Sequence, residues 1–135
     1  MNNQTEIYFV STFVKKSHRE RLLHELISEK KRSRGLDRFS HQAEELLDSG
    51  RVAMKDGDLE NFPDFRDFVM AHNETCELLS PDPVIDGKSL PFAEAVTVAS
   101  FSPDAVIIVG RGFCAVFSEA EKNGRVKYLL TEDHK

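Results

Sequence analysis

The sequence predicts an α+β fold: about three helices packed on one face of a mostly antiparallel sheet that ends in a β-meander. Three observations carry this expectation. Apolar residues recur at helical spacing in the first half of the chain, short β-branched and aromatic runs fill the last third, and this order segregates helices from strands. No internal repeat, low-complexity stretch or break in composition divides the chain, so residues 1–135 are read as one domain.

Ile7 to Val14 (IYFVSTFV) is rich in β-branched and aromatic residues and reads as a first strand. Ser17-His18-Arg19-Glu20 then matches a capping box, with Ser17 as N-cap and Glu20 reaching back. Behind it, Leu22, Leu23, Leu26 and Ile27 form one apolar stripe. This predicts a helix running to about Arg34, closed by Gly35 as a left-handed C-cap. The basic run Lys30, Lys31, Arg32 and Arg34 sits in its last turn, where the helix dipole favours cations.

Asp37 caps a second expected helix, with Phe39, Ala43, Leu46 and Leu47 on one face and an end near Gly50. Arg51 to Lys55 reads as a short strand broken by Asp56-Gly57. Phe62-Pro63-Asp64 opens a third helix with Phe65, Phe68 and Val69 inward, ending near Asn73. Cys76 to Leu79 suits a strand. Pro81, Pro83, Gly87 and Pro91 punctuate an irregular loop, read as the mobile part of the domain. Phe92 to Phe101 is ambiguous, its apolar pattern suiting a short helix after Pro91 or a strand, with a slight lean to the helix. Ala105–Val109, Phe113–Glu119 and Arg125–Leu130 are strand-like, with Gly110-Arg111-Gly112 joining the first two. Asn123-Gly124 is a strong two-residue hairpin signal for the last turn.

Composition limits the function classes. With 40% hydrophobic and 30% charged residues the chain is globular, and ten Phe against no Trp point to apolar aromatic packing. No run approaches the roughly 18 apolar residues a membrane span needs, and the first residues lack a secretory pattern. Cys76 and Cys114 lie far apart in apolar runs without a CxxC partner. They read as two buried free thiols in a reducing cytoplasm, with a disulfide between them as the alternative, and a zinc ribbon or thioredoxin-type site is excluded.

The formal net charge of −5 is unevenly spread. Residues 15–38 carry nine Lys/Arg against four Asp/Glu, whereas residues 44–104 carry four against fourteen. The basic segment can meet an acidic partner, protein or phosphate. It can also be solvated through pairs such as Arg21–Glu25, or dock on the acidic middle of the same chain or of a second copy. The acidic remainder weighs against nucleic acid, as does the scarcity of aromatics among the basic residues.

Other clusters carry less. Asp56, Asp58, Glu60, Asn61, Asp64 and Asp67 imitate a calcium loop, but Asn stands where Gly is needed and Pro63 occupies the apolar position. Asp37, His41, Glu44 and Glu45 lie on adjoining rows of the second helix and are read as a solvated face, short of a metal site. His18 and His24 fall on different faces, and His72 reads as a partner for a helix C-terminus. GxSxG, Walker and GxGxxG patterns are absent.

The expectation is therefore a non-catalytic protein-binding or regulatory domain of the inhibitor, immunity or adaptor kind, cytoplasmic, without cofactor, metal or catalytic residues. Its candidate partner contacts are Lys30, Lys31, Arg32, Arg34 and Arg111, the last at an exposed turn between two glycines. Self-association is allowed for, since a small sheet leaves an edge to pair. The alternatives are nucleic-acid binding through residues 15–38, and an enzyme whose site is assembled from distant residues around His41, such as Glu45 and the Pro81–Pro91 loop.

Overall fold

The computed structural model describes residues 3–121 and 124–133. In chain order the elements are α1 (Gln4–Phe13), α2 (Lys16–Ile27), α3 (Arg32–Leu46), β1 (Val52–Asp56), α4 (Pro63–Ala71), β2 (Thr75–Leu79), β3 (Ser89–Pro91), α5 (Phe92–Phe101), β4 (Val106–Val109), β5 (Phe113–Phe117) and β6 (Lys127–Thr131). Short 3₁₀ turns at Ser49–Arg51 and Leu59–Asn61 flank β1. The six strands form one sheet in the order β1-β6-β5-β4-β2-β3, and every neighbouring pair is antiparallel.

The α+β class and the C-terminal meander β4-β5-β6 are as the sequence predicts. Among the described residues the helices number five and cover both faces of the sheet, where about three on one face were expected. The reason lies in the central strands: β4 (VIIV) and β5 (FCAVF) are buried along their whole length, so each face needs a cover. Alternation sorts their side chains. Ile107, Val109, Cys114, Val116, Tyr128 and Leu130 meet α1, α2 and α3. Val106, Ile108, Phe113, Ala115, Phe117 and Leu129 meet α4 and α5.

Three local expectations are corrected. Ile7–Val14 is part of helix α1 rather than a strand, because Glu6, Phe9, Val10 and Phe13 recur at helical spacing and are all buried. Burial of that stripe outweighs the strand propensity of its residues. The expected helix from Ser17 to Arg34 is two: α2 has Lys15 at its N-cap, with no side-chain cap, and ends at Ile27 when Ser28 turns extended. Gly35 lies inside α3 without a positive φ, and Asp37 is also interior. Gly35 serves close approach instead, since a Cβ there would stand 2.8 Å from the Cβ of Glu25 on α2.

β1, the Pro-initiated α4, β2 and helix α5 follow the sequence closely, whereas β3 falls in the stretch read as irregular loop and pairs with β2 at the sheet edge. α3 kinks at Gln42, two residues after Ser40 donates its hydroxyl to the Asp37 carbonyl at 2.6 Å, a back-bond of the kind that bends helices. The 81–91 loop is anchored, with Ile85 buried and Asp86 bonded to α3. Of the Asn123-Gly124 turn, Asn123 lies outside the described residues; Gly124 has φ +109° and bridges Glu121.

Candidate functional site

The basic residues of 15–38 have two fates. Arginines turn inward and act as caps and ties. The α1 C-terminus leaves carbonyls without helical partners, and Arg19 Nε donates to Val14 O at 2.8 Å. Arg32 does the same for α2, giving Nη1 to Leu26 O at 2.8 Å. The same guanidinium reaches Glu6 on α1 at 2.7 Å and forks onto Asp86 through Nε and Nη2 at 2.8 and 2.9 Å. These carboxylates raise its pKa against the opposing cost of burial. Arg38 pairs with the buried Glu25, closing α2 on α3 beside Gly35.

Lys30, Lys31 and Arg34 turn outward at the junction of α2 and α3. Lys31 Nζ lies 3.4 Å from His24 Nε2, and among the described residues neither Lys30 nor Arg34 joins an ion pair. Beside Arg32 runs a cleft of about 420 Å³ lined by Glu6, Ile27, Glu29, Glu77 and Asp86. Arg32 thus belongs to the fold's internal network, while the other three candidates of this segment face solvent. Arg111 stands apart, at the tip of the β4–β5 turn. Its backbone N–H donates to Glu74 at 3.0 Å, and its neighbour Gly112 (φ +86°) donates to the Tyr8 hydroxyl. Gly110 is held free of a Cβ by the Phe113 ring, which would lie 2.2 Å from one.

The other layer is acidic at its surface. Asp58, Asp64, Asp67, Glu74 and Glu94 are exposed on the side of α4 and α5, against Arg66. The calcium-like run does not converge: Asp56 accepts from the Asp58 N–H, and Glu60 turns inward to the buried Lys127 and to Ser100. Burial would raise the Glu60 carboxyl, but these hydrogen bonds and the Lys127 charge hold it below the usual carboxylate range. His72 ends α4 as expected, its Nδ1 3.0 Å from Phe68 O and its ring stacked on Phe68 at 4.0 Å.

Neither thiol is poised for chemistry. Burial pushes Cys76 up to about 12 and Cys114 well above its ordinary value. The two lie on opposite faces of the sheet, Cys76 with α4 and α5 and Cys114 with α1–α3, so they do not meet.

Around His41 the structure brings together a different set from the one the sequence suggested. Asp37 Oδ1 is 3.9 Å from Nε2, but Glu44 is drawn to Lys55 at 2.9 Å and Glu45 faces solvent. The 81–91 loop meets the far end of α3, at Arg32, nine residues or about 13 Å along the helix from His41. What stands against His41 is Glu119, with Oε2 3.1 Å from Nδ1, and Glu121 beside it. No sequence spacing links position 41 to 119 and 121; only the packing of α3 on the β5–β6 end of the sheet does. No family model, curated protein or solved structure matches this chain. Among the described residues, no helix is long and apolar enough to cross a membrane.

Proposed function

We propose that this protein is a non-catalytic binding protein that docks on the acidic surface of a protein partner through the α2–α3 junction. The observation that supports it is the division of labour among the basic residues. Arg19, Arg32 and Arg38 stabilise the helical layer, while Lys30, Lys31 and Arg34 stay outward at one corner. A corner of three cations next to well-fixed helix ends suits recognition of clustered carboxylates. Two buried, unbridged thiols fit a partner in the reducing cytoplasm.

The test is capture at moderate salt with the intact chain as bait, followed by titration of the recovered protein against parent and Lys30→Glu/Lys31→Glu/Arg34→Glu variant. The reading expects at least a tenfold loss of affinity in the variant, with unchanged circular dichroism. Undiminished binding by the variant overturns it. So does tight binding of single-stranded RNA or duplex DNA that collapses between about 50 and 200 mM salt, which is the behaviour of a phosphate-binding surface.

A further inference from the structure

The contact between α3 and the segment after β5 gathers three metal-ligating groups outside the proposed docking corner. His41 Nδ1 is 3.1 Å from Glu119 Oε2, and the donor atoms of His41, Glu119 and Glu121 all lie within 4.8 Å of one another. Two different constraints hold them. His41 rides on α3 just before its kink at Gln42. Glu119 and Glu121 are alternate residues of a non-helical stretch that flanks the sheet.

That stretch is firmly placed. Ser118 N–H donates to Val126 O, Val126 N–H to Ser118 Oγ, and Ala120 N–H to Pro103 O. Arg125, whose pKa burial lowers, spends its Nε on Ser118 O and its Nη2 on Asp104 O, so its donors go to carbonyls and not to the two glutamates. Lys55 is likewise taken by Glu44. Among the described residues no lysine or arginine pairs with Glu119 or Glu121. Two carboxylates that no described lysine or arginine pairs with, one of them in contact with the His41 imidazole, therefore share with that ring a shallow depression of about 240 Å³, also lined by Ser40 and Tyr128.

We infer that His41, Glu119 and Glu121 form a surface site for a divalent transition-metal ion of the zinc type. One imidazole nitrogen with two carboxylates is a borderline donor set. It suits zinc and its neighbours, whereas calcium and magnesium call for oxygen shells of six or more. Three protein ligands leave room for water to complete the coordination. With Nδ1 toward the ion, His41 must be neutral and carry its proton on Nε2, the nitrogen that faces Asp37 at 3.9 Å. The ion would tie α3 to the end of the sheet.

The experiment is calorimetric titration of the tag-free protein with zinc chloride near neutral pH, with the histidine ring resonances followed by NMR in parallel. One zinc per chain is expected, with the His41 ring signals shifting on saturation and magnesium giving no comparable heat. His41→Ala, and separately Glu119→Gln/Glu121→Gln, should each weaken zinc binding at least tenfold. His18→Ala/His24→Ala should leave it unchanged. These side chains are largely at the surface, so circular dichroism should show every variant folded. Absence of zinc binding, unshifted His41 ring signals at saturation, or ligand variants that bind as tightly as the parent would each overturn the site.

Discussion

The two faces of the sheet are covered by different physics. On one, α1, α2 and α3 pack Phe9, Phe13, Phe39 and the buried Leu22, Leu26, Leu36 and Leu46 over the strands, and their ends are then tied by Arg19, Arg32 and Arg38. On the other, two short helices are held largely by rings: Phe113 lies 4.7 Å from Phe92 and 5.3 Å from Phe68, and Phe65 packs edge-on to Phe92. A layer of three helices has many ends whose carbonyls need partners, and charged side chains supply them. A layer of two helices has fewer ends and relies on aromatic area. The comparison also explains why a basic sequence block does not become a uniformly basic surface: part of it is consumed as structural hardware.

The largest expected effect lies on the aromatic face. Phe113→Ala removes the ring shared by Phe68, His72 and Phe92 and should cost about 3–5 kcal/mol, read as a lower urea midpoint with an unchanged slope. A loss under about 1 kcal/mol would mean that this face is not held by its rings. Next comes Arg32→Ala, which strands the carboxylates of Glu6 and Asp86 and uncaps α2. Because the side chain is 22% exposed, about 2 kcal/mol is expected, less than for a fully buried pair. Combining it with Asp86→Asn should cost less than the sum of the two single changes, since they share one network. Strict additivity would sever the helical face from the 81–91 loop.

The smallest effect concerns acid. The Glu60 carboxyl is held below its usual range in the fold, so its contribution is complete above the unfolded carboxyl value of about 4.3. It is lost as the pH falls through the lower folded-state value. Glu60→Gln should therefore flatten the fall of the urea midpoint in that acid window. Superimposable pH profiles for the two proteins would show that the Lys127–Glu60 tie contributes nothing to stability.

Much of this architecture is legible in the chain because it rests on local rules. Pro63 after Phe62 starts α4, β4 and β5 are unbroken apolar runs, and the glycines around Arg111 mark the turn between them. The helical period of Glu6, Phe9, Val10 and Phe13 was also present, but every one of the apolar residues there is a good strand former. Only the layer beneath could choose between the two readings. Gly35 is the same kind of case. As a sequence sign it marks a helix end, and in the fold it marks the place where α2 comes nearest to α3.

The basic corner could be read from the sequence as a block of charge, since composition alone reveals it. Which members face outward could not, because Arg32 is turned in by Glu6 and Asp86, partners 26 and 54 residues away. The His41 cluster was out of reach for the same reason at greater range. The sequence by itself determined the class of the fold, its strand-rich end and the sign of its charge blocks, all of which follow from near neighbours. Tertiary structure alone decided that helices cover both faces, which arginines become struts, and that Glu119 and Glu121 stand against His41. Those contacts join residues distant in the chain, and only the packed sheet brings them within reach of one another.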